Sequence, residues 1–177
     1  MGLRESRRAV ALETIADHML EKGLAPSSLR ALAAAARTSD RMLLYYFADK
    51  DDIIVSALET ISLRLARLLL AALPAGPALD FETALTRLAA TLRSDAFRPF
   101  MRLWVELVTL AAHGEEPFRT VAGQMADGFH AWAASQLDGP DEATRRAAAA
   151  RLIATVDGLV LLDLVGRPET ATLAVGD

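Results

Sequence analysis

The chain has 177 residues, 53% of them hydrophobic, a formal net charge of −4 and no cysteine. That length suits one domain, or a small module joined to a larger one, and it can bury a sizeable core without disulfide or metal staples. The missing cysteines exclude thiol nucleophiles, Cys-based zinc sites and iron–sulfur clusters, and no cofactor is expected. Alanine (35) and leucine (29) dominate while aromatics make up 6%, a mix that favours helix over sheet. The longest uncharged stretch, Leu68 to Leu79, is broken by Pro74 and Pro77. A spanning helix needs roughly 20 apolar residues, so no membrane segment is expected. Glu13 and Asp17 interrupt any signal-peptide core, and the expectation is a cytoplasmic protein. Met1-Gly2 with Ser6 fits a loose myristoylation pattern and is read as a chance match.

The net charge hides a split. Residues 1–50 carry eight basic and six acidic side chains, giving +2, whereas residues 51–177 carry eleven and seventeen, giving −6. A mildly basic head on an acidic body is the distribution expected of a nucleic-acid reader with a separate partner domain, although +2 alone is weak evidence.

In chain order, the elements are helices nearly throughout. Leu12, Ile15, Ala16, Met19 and Leu20 form a one-sided apolar stripe, and Gly23 supplies a stop. Pro26-Ser27-Ser28 breaks the chain and caps a short helix from Leu29 to about Ala36. Arg37-Thr38 must turn, because Ser39 is a good N-cap for a third helix with Leu43 and Phe47 on its inner face. Asp49 then caps a long helix from about Lys50 to Leu73, with Asp51 and Asp52 placed to suit its dipole. After the Pro74–Pro77 break, helices are expected over Phe81–Ser94, Phe97–Ala112, Pro117–Leu137 and Pro140–Val165. Thr170 to Val175 alternates briefly in polarity but is too short to count as an element.

Two short helices joined by a tight turn, after a helix of about four turns, have the layout of a helix-turn-helix, whose second helix enters the DNA major groove. Leu43 and Phe47 anchor that second helix, leaving Thr38, Ser39, Asp40, Arg41, Tyr45 and Tyr46 for the outside. Ala33 to Ala36 provides small residues where the first short helix crosses its partner, and Ser28 and Arg30 at its start could hold a phosphate.

The run Ser28-Leu29-Arg30-Ala31-Leu32-Ala33-Ala34-Ala35-Ala36, then Ser39, then Leu43-Leu44-Tyr45-Tyr46-Phe47-Ala48-Asp49-Lys50, resembles the tetracycline-repressor (TetR) family of bacterial regulators. The resemblance covers residues from about 8 to 60; beyond them it is architectural. It departs from the pattern at Arg37, where the family usually has a turn glycine, at Thr38, at Leu44, and at Arg41-Met42 in place of a common Gly-Thr pair. A left-handed non-glycine residue costs of order 1 kcal/mol, so Arg37 implies a turn that is strained or reshaped. The resemblance implies an all-α protein with a three-helix DNA-binding domain (1–50) and a helical ligand-binding and dimerisation domain (51–177). It implies that Thr38, Ser39, Asp40, Arg41 and Met42 face base edges and that Ser28, Arg30, Tyr45, Tyr46 and Lys50 hold phosphates. The N-terminal Arg4, Arg7 and Arg8 could reach an adjacent groove or the DNA backbone. Other readings stay open: either tyrosine could pack on the next helix, Lys50 could be a solvated helix start, and the arginines a solvated tail.

From Leu152 to Val165 the helix over 140–165 is apolar almost all round, so it must be covered on every side. One face on the core and one on a second subunit would satisfy that, with Ala150, Ala154 and Gly158 as a smooth stripe and Leu161 and Leu162 beside it. The expected assembly is a homodimer, built from this helix and its predecessor. Phe97, Phe100, Met101, Trp104, Val105 and Val108 recur at helical spacing, and Phe118, Met125, Phe129 and Trp132 add large apolar groups. They are either core or the walls of a ligand cavity. By the resemblance, a small, largely apolar effector binds here and releases the homodimer from double-stranded operator DNA, most commonly as the inducer of a repressor. Arg102, Glu106, Thr109, His113 and His130 are the polar groups that could orient it.

An enzyme is not expected. Asp127-x-x-His130 is a single, imperfect copy of a di-iron motif, the three histidines do not cluster in sequence, and no phosphate loop or nucleophile elbow occurs. The alternative is a helical interaction protein of the same fold that has lost operator binding, prompted by Leu44 and Arg37.

Overall fold

The computed structural model describes residues 2–25, 27–74 and 76–175. The helices among the described residues are α1 (Leu3–Lys22), α2 (Leu29–Ala35), α3 (Asp40–Tyr46), α4 (Lys50–Ala72) and α5 (Phe81–Leu92). They continue with α6 (Arg98–Ala112), α7 (Phe118–Gln136), α8 (Glu142–Leu164) and α9 (Pro168–Val175). The chain divides into two compact units: Met1–Leu65 with Leu103–Ala122, and Ala66–Arg102 with Gly123–Asp177.

Local chemistry sets most helix starts. Ser28, Ser39, Asp80 and Asp141 each cap a helix, their side chains accepting a backbone N–H from Ala31, Met42, Thr83 and Thr144 respectively. Asp49 accepts from the Asp52 N–H at 2.8 Å, and Asp52 reaches back to the Ala48 N–H at 2.9 Å. This reciprocal pairing satisfies donors at the start of α4 that would otherwise be orphaned. Hydrogen bonds from the Thr83 backbone and hydroxyl hold the Asp80 carboxyl below its ordinary value of 3.8. Those from Thr144 do the same for Asp141. Because the folded value is depressed, each cap contributes fully above pH 3.8 and is lost as pH falls through the lower folded value. In acid denaturation curves, wild-type protein should therefore lose a stability increment below pH 3.8 that an Asp141→Asn variant lacks.

The first unit is built on the buried stripe of α1, with Ile15, Ala16 and Met19 fully inaccessible, against Ile53, Ile54, Ala57 and Leu58 of α4. Arg64 of α4 fastens the same pair from the rim: it donates to Asp17 Oδ1 at 2.6 Å, to the Glu13 carbonyl at 3.0 Å and to the Glu13 carboxylate. The arginine side chain is 21% exposed but its acidic partners are 58% and 71% exposed, so solvent screens the pairing. Arg64→Ala should cost about 1–2 kcal/mol, read by urea unfolding, mainly through the loss of its four charge-assisted hydrogen bonds.

In the second unit, α5 buries Ala84, Leu85, Leu88, Ala89 and Leu92 and packs against α8, which buries Ala149, Leu152, Val156, Leu159 and Val160. Leu79 joins the loop after α7 by backbone bonds to Gln136 and from Asp138, both at 2.8 Å. Arg93 is the staple: it binds both oxygens of Asp163, at 2.6 and 3.0 Å, and reaches the Pro168 carbonyl at 3.3 Å and Thr172 at 3.4 Å. That fixes the C-terminal end of α8 and the start of α9. The segment 170–175, whose brief alternation did not qualify as an element, is therefore part of a helix, with Ala171 fully buried. Tertiary contacts, not local periodicity, order it.

Candidate nucleic-acid interface

The turn between α2 and α3 is made by the backbone. Thr38 N–H donates to the Ala33 carbonyl at 2.9 Å and Arg37 N–H to the Ala34 carbonyl at 3.1 Å, with Arg37 at φ 51°. This is the paired-bond helix stop that normally ends in glycine. The turn keeps its left-handed shape and carries the strain in Arg37, so of the two possibilities raised by the sequence it is strained and not reshaped. Arg37→Gly should stabilise the protein by about 0.5–1 kcal/mol, the relief of the left-handed penalty less glycine's greater unfolded-chain entropy. Thermal unfolding checks it.

Beyond the turn, Leu43 (0% exposed) and Phe47 (3%) hold α3 down. The outward set is Ser39, Asp40 and Arg41, all exposed, followed by Met42, Leu44 and Tyr45 at 36%, 47% and 56%; Thr38 and Tyr46 are half-buried. Ser28, Arg30 and Lys50 are exposed in the same unit. Tyr45 and Tyr46 meet edge-to-face at 5.2 Å, so each is partly committed to the other. Ser28 and Ser39 spend one acceptor position each on their caps, and Asp40 sits in the first turn of α3, where the helix dipole favours it.

Two arginines expected to reach DNA are engaged within the chain. Arg4 donates to the Tyr45 carbonyl at 2.8 Å and lies 4.8 Å over the Tyr45 ring. Arg8 lies 4.5 Å over the Phe47 ring and donates to the Ser56 hydroxyl at 3.0 Å. Together they tie α1 to the C-terminal end of α3 and to α4. Their four-residue spacing is the one local signal that they share a face, because the partners lie more than 40 positions away.

A second element missed from sequence is Glu106 of α6. Its carboxylate accepts the Leu24 N–H at 2.7 Å, where α1 ends and Gly23 adopts φ 83°, ψ −170°. Sequence reasoning offered Glu106 as a ligand-orienting group; the structure gives it a backbone partner. His113 Nδ1 and His130 Nε2 likewise meet main-chain carbonyls, of Thr109 at 2.8 Å and Arg146 at 2.9 Å.

The large apolar groups fall in both units. Phe97, Phe100 and Met101 are buried in the second, where Met125, Phe129 and Trp132 are half-buried, with the last two rings stacked at 5.3 Å. Trp104, Val105 and Phe118 are half-buried in the first unit and Val108 is 42% exposed. Met101 lines a cavity of about 530 Å³ in the second unit with Arg93, Arg98 and Asp163; Val105 and Phe118 line a groove of about 570 Å³ in the first. Of the expected interface residues, Ala150, Ala154 and Leu161 are exposed, and Gly158 and Leu162 are half-buried. Among the described residues no group of three His, Asp or Glu could hold a metal, and no helix is long and apolar enough to cross a membrane.

A capped two-helix motif with a buried inner face and an exposed outer one has the layout of a helix-turn-helix. Residues 11–57 match the profile of "Bacterial regulatory proteins, tetR family". Over its whole length the chain is similar to the multidrug binding protein EbrR complexed with proflavin, at 29% identity and TM-score 0.67, covering 96% of this chain and 95% of that one. A TetR-family transcriptional regulator from Cytophaga hutchinsonii shares the fold at TM-score 0.77 and 16% identity, covering 99% and 92%. So does a transcriptional regulator from Rhodococcus sp. Rha1, at TM-score 0.69 and 23% identity, covering 98% and 92%. A comparison with curated proteins finds no match. The helix-turn-helix segment is thus similar to that of the tetR family of bacterial regulators, and the whole chain shares its fold with solved transcriptional regulators.

Proposed function

We propose that this chain is a ligand-responsive transcriptional repressor that binds operator DNA as a homodimer, with residues 1–50 as the DNA-binding domain and 51–177 as the ligand-binding and dimerisation domain. The outward face of α3, in a segment similar to that of a family of DNA-binding regulators, carries the reading. Thr38, Ser39, Asp40, Arg41 and Met42 face base edges, with Arg41 bonding guanine bidentately and the exposed Met42 and Leu44 suited to thymine methyl groups. Ser28, Arg30, Tyr45, Tyr46 and Lys50 hold phosphates.

The effector is a small, largely apolar molecule, with Phe97, Phe100, Met101, Met125, Phe129 and Trp132 of the second unit and Trp104, Val105, Val108 and Phe118 of the first as its candidate contacts. Support comes from EbrR, which was solved with proflavin, and from the half-buried state of Trp104, Met125, Phe129 and Trp132. The second subunit covers Ala150, Ala154, Gly158, Leu161 and Leu162. On this chain Leu161, Leu164 and Val165 are 47%, 39% and 68% exposed, an apolar face that water would otherwise meet.

The deciding experiment is a gel shift with DNA from around the protein's own gene. Salt-sensitive, sequence-selective retardation supports the regulator. No retardation would leave the helical interaction protein that has lost operator binding. For the dimer, Leu161→Glu should turn a dimeric mass in light scattering into a monomeric one. Native mass spectrometry of purified protein would report any co-purifying effector.

A further inference from the structure

The chain turns a sharp corner between α3, which ends at Tyr46, and α4, which starts at Lys50. With seven residues, α3 is too short to hold a direction by itself, so its contacts with the rest of the head set its tilt. At the corner those contacts form a relay. The Arg8 guanidinium lies 4.5 Å over the Phe47 ring and donates to Ser56 Oγ at 3.0 Å. Ser56 donates onward to Asp52 Oδ1 at 3.2 Å. Asp52 Oδ2 accepts the Ala48 N–H at 2.9 Å, which closes the relay on the residue after Phe47. Among the described residues Ser56 is the one polar side chain in the buried core, at 8% exposure. A hydroxyl there accepts from the guanidinium and donates to the carboxylate at once, which neither a carboxylate nor an ammonium can do.

We propose that Arg8 and Ser56 are positioning residues for base reading: they set the tilt of α3 on α4, and with it operator selectivity, without touching DNA. The role rests on the proposed regulator function, and it differs from the groove or backbone contact that the place of Arg8 near the N-terminus suggests. Seven residues span about 10 Å, so a tilt of about 10° at Phe47 carries the Ser39 end of α3 by about 2 Å. Hydrogen bonds to base edges do not survive such a shift. The phosphate contacts at Ser28, Arg30 and Lys50 lie outside α3, and Tyr45 and Tyr46 lie beside the pivot, so sequence-independent binding survives it. The relay therefore protects selectivity and not overall affinity for DNA. Ser56 is its tight link: the direct Arg8–Asp52 pairing is 3.9 Å long between side chains 39% and 37% exposed, where water weakens it.

Ser56→Ala removes the hydroxyl and little volume, and Arg8→Met keeps an apolar stem over Phe47 while removing the N–H donors. Circular dichroism establishes that each variant is folded. In amide hydrogen exchange without DNA, Ser56→Ala should speed the Ala48 N–H and the last turn of α3 at least about tenfold and leave α1 protected. In gel shifts, both variants should lower the ratio of operator to scrambled-DNA affinity at least about fivefold. Affinity for scrambled DNA should stay within about twofold of wild type and the salt slope should not change. The double variant should lose no more selectivity than the worse single one, since both cut one relay. Ser56→Thr, which keeps the hydroxyl, should restore selectivity. Unchanged exchange in Ser56→Ala, additive losses in the double variant, or a Ser56→Thr loss equal to that of Ser56→Ala would overturn the relay. Equal losses on operator and scrambled DNA would reduce it to a structural prop, and a salt slope lowered by about one per half-site in Arg8→Met would make Arg8 a phosphate contact; either result overturns the positioning role. Absence of selective binding by the wild type would sink the regulator function and the reading role with it, whereas exchange decides the relay without DNA.

Discussion

Gly23→Ala should lower the unfolding free energy by about 2–4 kcal/mol and the Tm by roughly 5–12 °C. Gly23 ends α1 at φ 83° and ψ −170°, a region that is open essentially to glycine alone. Its N–H still donates to the Met19 carbonyl at 2.8 Å, so the chain cannot swing out of this conformation without losing a helix stop. A Cβ built there would also lie 2.4 Å from a carboxylate oxygen of Glu106. The carboxylate is the flexible end of its side chain and can withdraw, but withdrawal breaks its 2.7 Å bond to the Leu24 amide. Backbone strain of about 1–3 kcal/mol and a lost charge-assisted hydrogen bond of about 1.5–3 kcal/mol act together. A double-mutant cycle separates them in urea unfolding. If Gly23→Ala costs as much in a Glu106→Ala background as in wild type, strain alone is responsible; a smaller cost there measures the clash. A wild-type Tm for Gly23→Ala would show that this turn does not need glycine.

Arg41→Ala and Lys50→Ala should weaken operator binding in different ways. Arg41 is exposed on the outward face of α3, and a bidentate contact to guanine carries about 1–3 kcal/mol of discrimination. Its loss should cost roughly 5- to 150-fold on the operator per half-site and little on unrelated DNA, so site preference relaxes. Lys50 opens α4, outside the recognition helix. A phosphate contact there carries no sequence information, so Lys50→Ala should weaken all DNA alike and reduce the salt slope by about one per half-site. Gel shifts on operator and scrambled DNA at several salt concentrations give both numbers. Unchanged preference in Arg41→Ala would remove α3 as the reader of bases. An operator-only loss in Lys50→Ala would mean that the lysine reads sequence.

Much of the fold is legible in the residues because its determinants are local. Ser28, Ser39, Asp49, Asp80 and Asp141 cap helices by bonds to amides three positions on. Leu43 and Phe47, four apart, are both buried, as their spacing requires. Arg37 reads as a left-handed residue in a glycine position, and its φ of 51° agrees. The outward set on α3 follows by elimination, since what does not face the core at helical spacing faces water. By contrast, α9 escaped the pattern because eight residues carry too little periodicity. It is held by the burial of Ala171 and by Arg93, some 70 to 80 positions back in the chain.

By itself, then, the sequence determined an all-helical chain, the positions of its breaks and the identity of its helix-turn-helix, since propensity, caps and periodicity act within a few residues. Only the tertiary structure decided which charges are spent on the fold. Arg4 and Arg8 are bound to α3 and its flank, Arg64 to Glu13 and Asp17, Arg93 to Asp163, and Glu106 to the end of α1. The physical reason is reach: each of these pairs spans 41 to 82 positions, and no local rule can tell a partnered charge from a solvated one. A head that reads as +2 thus keeps a narrower set of exposed cations, with Arg41 and Lys50 among them.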